Sequence, residues 1–103
     1  MTYTDSLIAL ADPTRRAVFE SLRAGPLPVG ALASRLPVSR PAVSQHLKVL
    51  SDAGLVTMQA RGTQRLYAIR PEGLADLRAW LDQFWDTALA RFADEIHNPK
   101  DPQ

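Results

Sequence analysis

At 103 residues, 46% of them hydrophobic and 22% charged, the chain has the size and apolar content of one ordinary domain and is too short for two cores. It contains no cysteine, which excludes disulfides, thiol redox chemistry and thiolate metal sites, and no apolar run near the roughly 18 residues of a membrane span. The net charge of +1 is unevenly spread, with nine bases against two acids between Arg15 and Arg70 but three against seven from Pro71 onward, so the middle of the chain suits a polyanion and its ends do not.

The first apolar segment, over 6–11, stops at Asp12-Pro13, because a residue before proline is driven out of the helical region. Asp12 suits an N-cap, and Pro13 the first helical position, where its missing N–H has no partner to lose. The helix they open is predicted to run to about Ala24, burying Ala17, Val18, Phe19 and Leu22, before Gly25-Pro26 ends it. Pro28 starts a third helix through Val29, Leu32, Ala33 and Leu36, which keep an i, i+3, i+4, i+7 spacing. Pro37 interrupts it, and Ser39 is placed to cap a fourth helix that tolerates Pro41 in its first turn and ends near Ala53-Gly54. Two short helices so briefly separated describe a helix-turn-helix.

Strands are predicted over 55–60 and 65–70, joined by 61–64 as a hairpin loop; a hairpin in this place is a wing. Pro71-Glu72-Gly73 opens a last helix to about Ile96. One apolar row runs along it through Leu74, Leu77, Leu81, Phe84 and Ala88, and a second beside it through Trp85, Leu89, Phe92 and Ile96, with Trp80 widening the stripe. The expected fold is mainly α with a β-hairpin, in the order ααααββα: a winged helix-turn-helix over 1–97 with a short C-terminal tail over 98–103. With no basic leader segment at the start of the chain, a soluble, cytoplasmic protein is expected.

The fourth helix is the informative one. At about 100° per residue, Val43, Leu47 and Leu50 fall within roughly 60° of one another and must face the core. Nearly opposite lie Pro41, Gln45 and Lys48, with Arg40 and Ser44 on the flank between and Ala42 in the first turn. Such an edge suits the major groove of duplex DNA, where Gln45 would read adenine and Arg40 guanine, each correct pair contributing about 1–3 kcal/mol of discrimination. Ser39, Ser44 and Lys48 suit phosphate contacts, which position without specifying. His46 sits on the shoulder of the helix, where it either donates to a phosphate or bonds a neighbouring loop. In the wing, Arg61, Gln64 and Arg65 surround a glycine-containing tip that suits an adjacent minor groove; the competing explanation is a solvated hairpin end.

Three stretches resemble the ArsR type of winged helix-turn-helix repressor: Ala9-Leu10-Ala11-Asp12-Pro13-Thr14-Arg15-Arg16, the fourth helix from Ser39 to Leu50, and Ala53-Gly54-Leu55-Val56 at the entry to the wing. The resemblance covers almost the whole chain and implies a homodimer that occupies a partly palindromic operator, represses transcription and in many members releases DNA when an effector binds. Metal-sensing members carry Cys-Val-Cys at the start of the third helix, where this chain has Pro28-Val29-Gly30. A second family site uses Asp and His pairs on the last helix, but Asp76, Asp82, Asp86 and Asp94 are accompanied only by His97. Neither metal site carries over, so no metal or cofactor is expected and the effector is unknown.

A dimer is also expected on physical grounds. One body covers one apolar row of the last helix, leaving Trp80, Phe84, Trp85, Leu89 and Phe92 to pair, with Leu7, Ile8 and Leu10, against a second copy. The rival explanation is that these aromatics complete the core of a monomer. For function, the alternative is a winged helix used only as a protein interaction module. An enzyme is not expected, because the only histidines are His46 and His97, and neither a glycine-rich phosphate loop nor a Ser, His and carboxylate grouping is present.

Overall fold

A computed structural model describes residues 3–97; the tail expected over 98–103 lies outside the described residues. The elements run α1 Tyr3–Ala11, α2 Pro13–Ser21, β1 Leu27–Pro28, α3 Val29–Arg35, α4 Arg40–Asp52, β2 Val56–Arg61, β3 Gln64–Ile69 and α5 Pro71–His97. This is the expected helix-turn-helix followed by a wing and a long last helix. One element is additional: β1 pairs antiparallel with β3, Leu27 opposite Tyr67 and Pro28 opposite Leu66, so the order is ααβααββα instead of ααααββα. Two residues show no periodicity, and proline at a sheet edge sacrifices no ladder bond.

Asp12 makes the first corner. Its carboxylate accepts the Arg15 amide at 3.0 Å as the N-cap of α2, with Pro13 following. Arg15 and Arg16 then reach back to α1, donating to the carbonyls of Ala9 and Leu10 at 2.5 and 3.2 Å. The last turn of α1 has no basic residue of its own, so the next helix supplies the cations its free carbonyls favour. α2 ends at Ser21, three residues before the expected Ala24. There the amides of Leu22 and Arg23 turn to carbonyls three residues back, and the chain tightens ahead of Gly25.

The core forms where the helical spacing demanded: Val18, Phe19 and Leu22 of the α2 segment, Leu32 of α3, Val43, Leu47 and Leu50 of α4, and Leu55 and Val56 entering the wing. Ala17, expected inside, is only half-buried. At about 1.5–3 kcal/mol for each fully buried aliphatic side chain, this seam holds α4 with a fixed edge outward.

The hairpin is tighter than its sequence suggested. β2 and β3 pair from Val56 opposite Ile69 to Arg61 opposite Gln64, leaving only Gly62 and Thr63 in the turn. Gly62 has φ +60° and no other residue of the turn has a positive φ, the pattern of a II′ turn with glycine first. α5 starts against the α4–β2 turn and then leaves the body, every residue from Leu81 to His97 being exposed. The radius of gyration, 18.8 Å, exceeds the roughly 13 Å of a compact chain of this length for that reason. No helix among the described residues is long and apolar enough to cross a membrane.

Candidate nucleic-acid interface

Ser39 begins the site, its hydroxyl accepting the Ala42 amide at 3.3 Å and setting the first turn of α4. Ala42 is half-buried beneath that turn, while Arg40, Pro41, Ser44, Gln45 and Lys48 are exposed. Because Val43, Leu47 and Leu50 are each 1% exposed or less, α4 cannot roll to hide that edge without opening the core.

The polar side chains differ in their freedom. Lys48 lies 3.4 Å from the Asp52 carboxylate one turn on, an exposed pair of the kind that contributes little and lets go readily. His46 is half-buried, on the side of α4 toward the α1–α2 junction. Its charge is among the lesser influences that hold the Asp12 carboxyl below its ordinary 3.8, the Arg15 amide being the chief one.

An open groove of about 540 Å³ separates the leading half of α4 from the wing. Arg40 and Ser44 form one wall, Thr63, Gln64, Arg65 and Tyr67 the other, and Pro28, Val29 and Gly30 the floor where β1 meets α3. The structure thus brings Arg40, Ser44, Gln64 and Arg65 around one channel, with Gln45 and Lys48 on the neighbouring outer edge and Arg61 outside it. None of Gly30, Thr63 and Tyr67 is among the DNA contacts expected from the sequence. The only signal for Tyr67 is its period-two relation to Arg65 on β3, which puts the two on one face of the strand.

The metal-sensor position of the resemblance, Pro28-Val29-Gly30, is the floor of this groove. Among the described residues, no three His, Asp or Glu side chains stand together as a metal site.

Away from the groove lies an apolar face. Phe84, Trp85 and Phe92 are 58%, 63% and 61% exposed, and Ile8, Leu81, Leu89 and Ile96 stand open beside them. Leu7 is at the margin of exposure. Leu10 packs in part on the core, and Trp80 is half-buried, stacked on Tyr3 with ring centroids 5.4 Å apart and meeting Phe84 edge-on at 5.0 Å.

Comparison with known proteins agrees with this architecture. Residues 10–59 match the family model described as a helix-turn-helix domain. The chain is 58% identical over 93 residues to the HTH-type transcriptional regulator Rv2034 of Mycobacterium tuberculosis, covering 90% of this chain and 87% of that one. It is 30% identical over 76 residues to the transcriptional repressor SdpR of Bacillus subtilis, covering 74% and 84%. Among solved structures it is similar to a homodimeric winged helix-turn-helix DNA-binding domain from Mycobacterium bovis, a possible ArsR-family transcriptional regulator, with 29% identity, a TM-score of 0.66 and coverage of 81% and 77%.

Proposed function

The chain belongs to the ArsR family of winged helix-turn-helix transcriptional regulators, and from that premise we propose that it acts as a homodimeric repressor occupying a partly palindromic operator. The relatives it matches are transcriptional regulators and a DNA-binding domain, which supports sequence-specific DNA binding as its activity. The observation that carries the reading is the exposed edge of α4, centred on Gln45, held outward by a fully buried opposite face and flanked by the wing. That edge enters the major groove and the wing's Arg61 and Arg65 take the adjacent minor groove, with the acidic α5 turned away from DNA. Repression follows from occupancy, since a protein seated on a promoter excludes polymerase from it.

The reading is tested by selecting bound fragments from the host genome and titrating the selected duplex by fluorescence anisotropy. Gln45→Ala is expected to relax base preference while leaving non-specific affinity intact. Lys48→Ala is expected to weaken all sequences alike and to flatten the log K against log salt slope by about 0.9. Absence of salt-sensitive binding by the wild-type chain would replace this reading with that of a protein interaction module.

A further inference from the structure

We propose that the cleft between α1 and the last turn of α4 binds a small organic cation, an ammonium or guanidinium group on an apolar body, and that its occupant tightens the hold on DNA by taking Asp52 from Lys48. The cleft stands independently of the DNA-binding reading above; its effect on DNA rests on that reading.

Shape and lining carry the first step. The cleft holds about 320 Å³, at the lower end of the range for small-molecule sites. Its floor is the buried Ala9 and Ala53, and above them Ile8 and Val49 stand 62% and 39% exposed on the two helices. Asp5 from α1 and Asp52 from α4 complete the lining, so each wall carries one carboxylate and no base is among the lining residues. Of these residues only Ile8 belongs to the face expected to meet a second copy. An apolar slot with an anion on each wall is a poor host for a neutral or anionic ligand and matches a cation with an apolar body.

The end of α4 supplies an independent reason. Its last turn carries no base and its final residue is Asp52, so a carboxylate sits where the helix dipole already concentrates negative charge and favours a cation. Lys48 answers it only from one turn back, at 3.4 Å, in an exposed pair. Arg70 donates instead to the Gly54 carbonyl in the following turn, and Asp5 pairs with no base among the described residues.

The coupling to DNA follows from spacing along the helix. Asp52 lies four residues after Lys48 and three after Val49, so it stands between the outward edge of α4 and the cleft. A cation in the cleft competes with Lys48 for that carboxylate, neutralises an acid beside the DNA-facing edge and leaves the Lys48 ammonium to a phosphate. Cation and duplex then favour each other's binding by the same factor, and the occupant strengthens the DNA-bound state instead of releasing it.

In the test, the full chain is titrated with phenethylamine while its amide shifts are followed by nuclear magnetic resonance. Phenethyl alcohol, phenylpropionate and putrescine are the controls for charge, sign and apolar body. The amine is expected to shift the amides of Asp5, Ile8, Val49 and Asp52 saturably and to bind several-fold more tightly than any control. Asp5→Asn and Asp52→Asn, each at an exposed position and verified by its thermal melt, are each expected to weaken it several-fold. With the selected duplex, the amine is expected to tighten binding about two- to fivefold, the worth of one exposed ion pair. Asp52→Asn alone is expected to give the same gain and to abolish the response to amine. No saturable shift at these amides, equal affinity for the alcohol or the propionate, or undiminished affinity in both Asn variants would overturn the site. A saturating amine that leaves duplex affinity unchanged or lowers it would overturn the coupling. Absence of salt-sensitive duplex binding by the wild-type chain would instead remove the regulator reading, with the cation site judged by the amide shifts alone.

Discussion

Asp12 couples the α1–α2 corner to pH through one hydrogen bond. Its carboxylate accepts the Arg15 amide, and this bond, more than the nearby charges of Arg15 and His46, draws the carboxyl below its ordinary 3.8. A depressed carboxyl favours the folded state fully above its unfolded pKa, and that contribution disappears as pH falls through the lower folded value. Wild-type thermal stability is therefore expected to drop more steeply below about pH 4 than that of Asp12→Asn, which keeps an acceptor at the cap without a titrating group. Equal steepness in the two melting series would show that the cap's charge has no part in acid stability. At the same scale, three of the nine bases counted toward DNA serve the fold: Arg15, Arg16 and Arg70 donate to backbone carbonyls of Ala9, Leu10 and Gly54. Charge counting along a chain has no means of separating a cation that caps a helix from one that faces a phosphate.

Single elements were legible where their signal is local and repeated. The spacing of Val43, Leu47 and Leu50 fixed which side of α4 is buried, and with it the exposure of Gln45. Ser39 and Asp12 stand at the caps their chemistry suits. The ends of the hairpin were less legible, because Arg61 and Gln64 look like loop residues until they are seen paired across a two-residue turn. The groove was not legible at all. Its lining comes from three separate segments of the chain, and β1, which closes its floor, is two residues long. Gly73 is another case: next to Pro71 it reads as helix-opening punctuation, but its buried Cα faces the Gly54 carbonyl so closely that an added Cβ would overlap the oxygen and lie 2.9 Å from the carbon. Both obstructing atoms are backbone, so relief requires α5 to move away from the α4–β2 turn. Gly73→Ala is expected to destabilise by about 1–3 kcal/mol, lowering the melting midpoint by several degrees. Gly30→Ala, in an open helical position, is expected to be neutral or slightly stabilising. Equal melting midpoints for these two variants would mean that the approach at Gly73 is not a constraint.

On the scale of the whole molecule, charge and apolar surface divide in the same way. Bases and hydroxyls gather on the α4 and wing side, while the projecting length of α5 carries acids on one face and Phe84, Trp85, Leu89 and Phe92 on another. Aromatic side chains bury roughly 150–250 Å² each, so a face this open amounts to several hundred Å² of apolar surface, the scale at which monomers acquire partners. The solved winged helix-turn-helix domain from Mycobacterium bovis is homodimeric, and a twofold arrangement of this chain through α1 and α5 would present two α4 edges to one side of a duplex. In the proposed reading dimerisation and operator recognition are one design, in which affinity would require both α4 edges at once.

The stoichiometry of the complex tests that design most directly. Sedimentation of the chain with its selected duplex is expected to give two chains per duplex, with protected half-sites spaced by about one helical turn or a multiple of it. Phe92→Glu, which places a charge in the apolar face, is expected to give a folded monomer with greatly weakened operator binding. One wild-type chain per duplex at full affinity, or a monomeric Phe92→Glu that binds as tightly as wild type, would contradict the account.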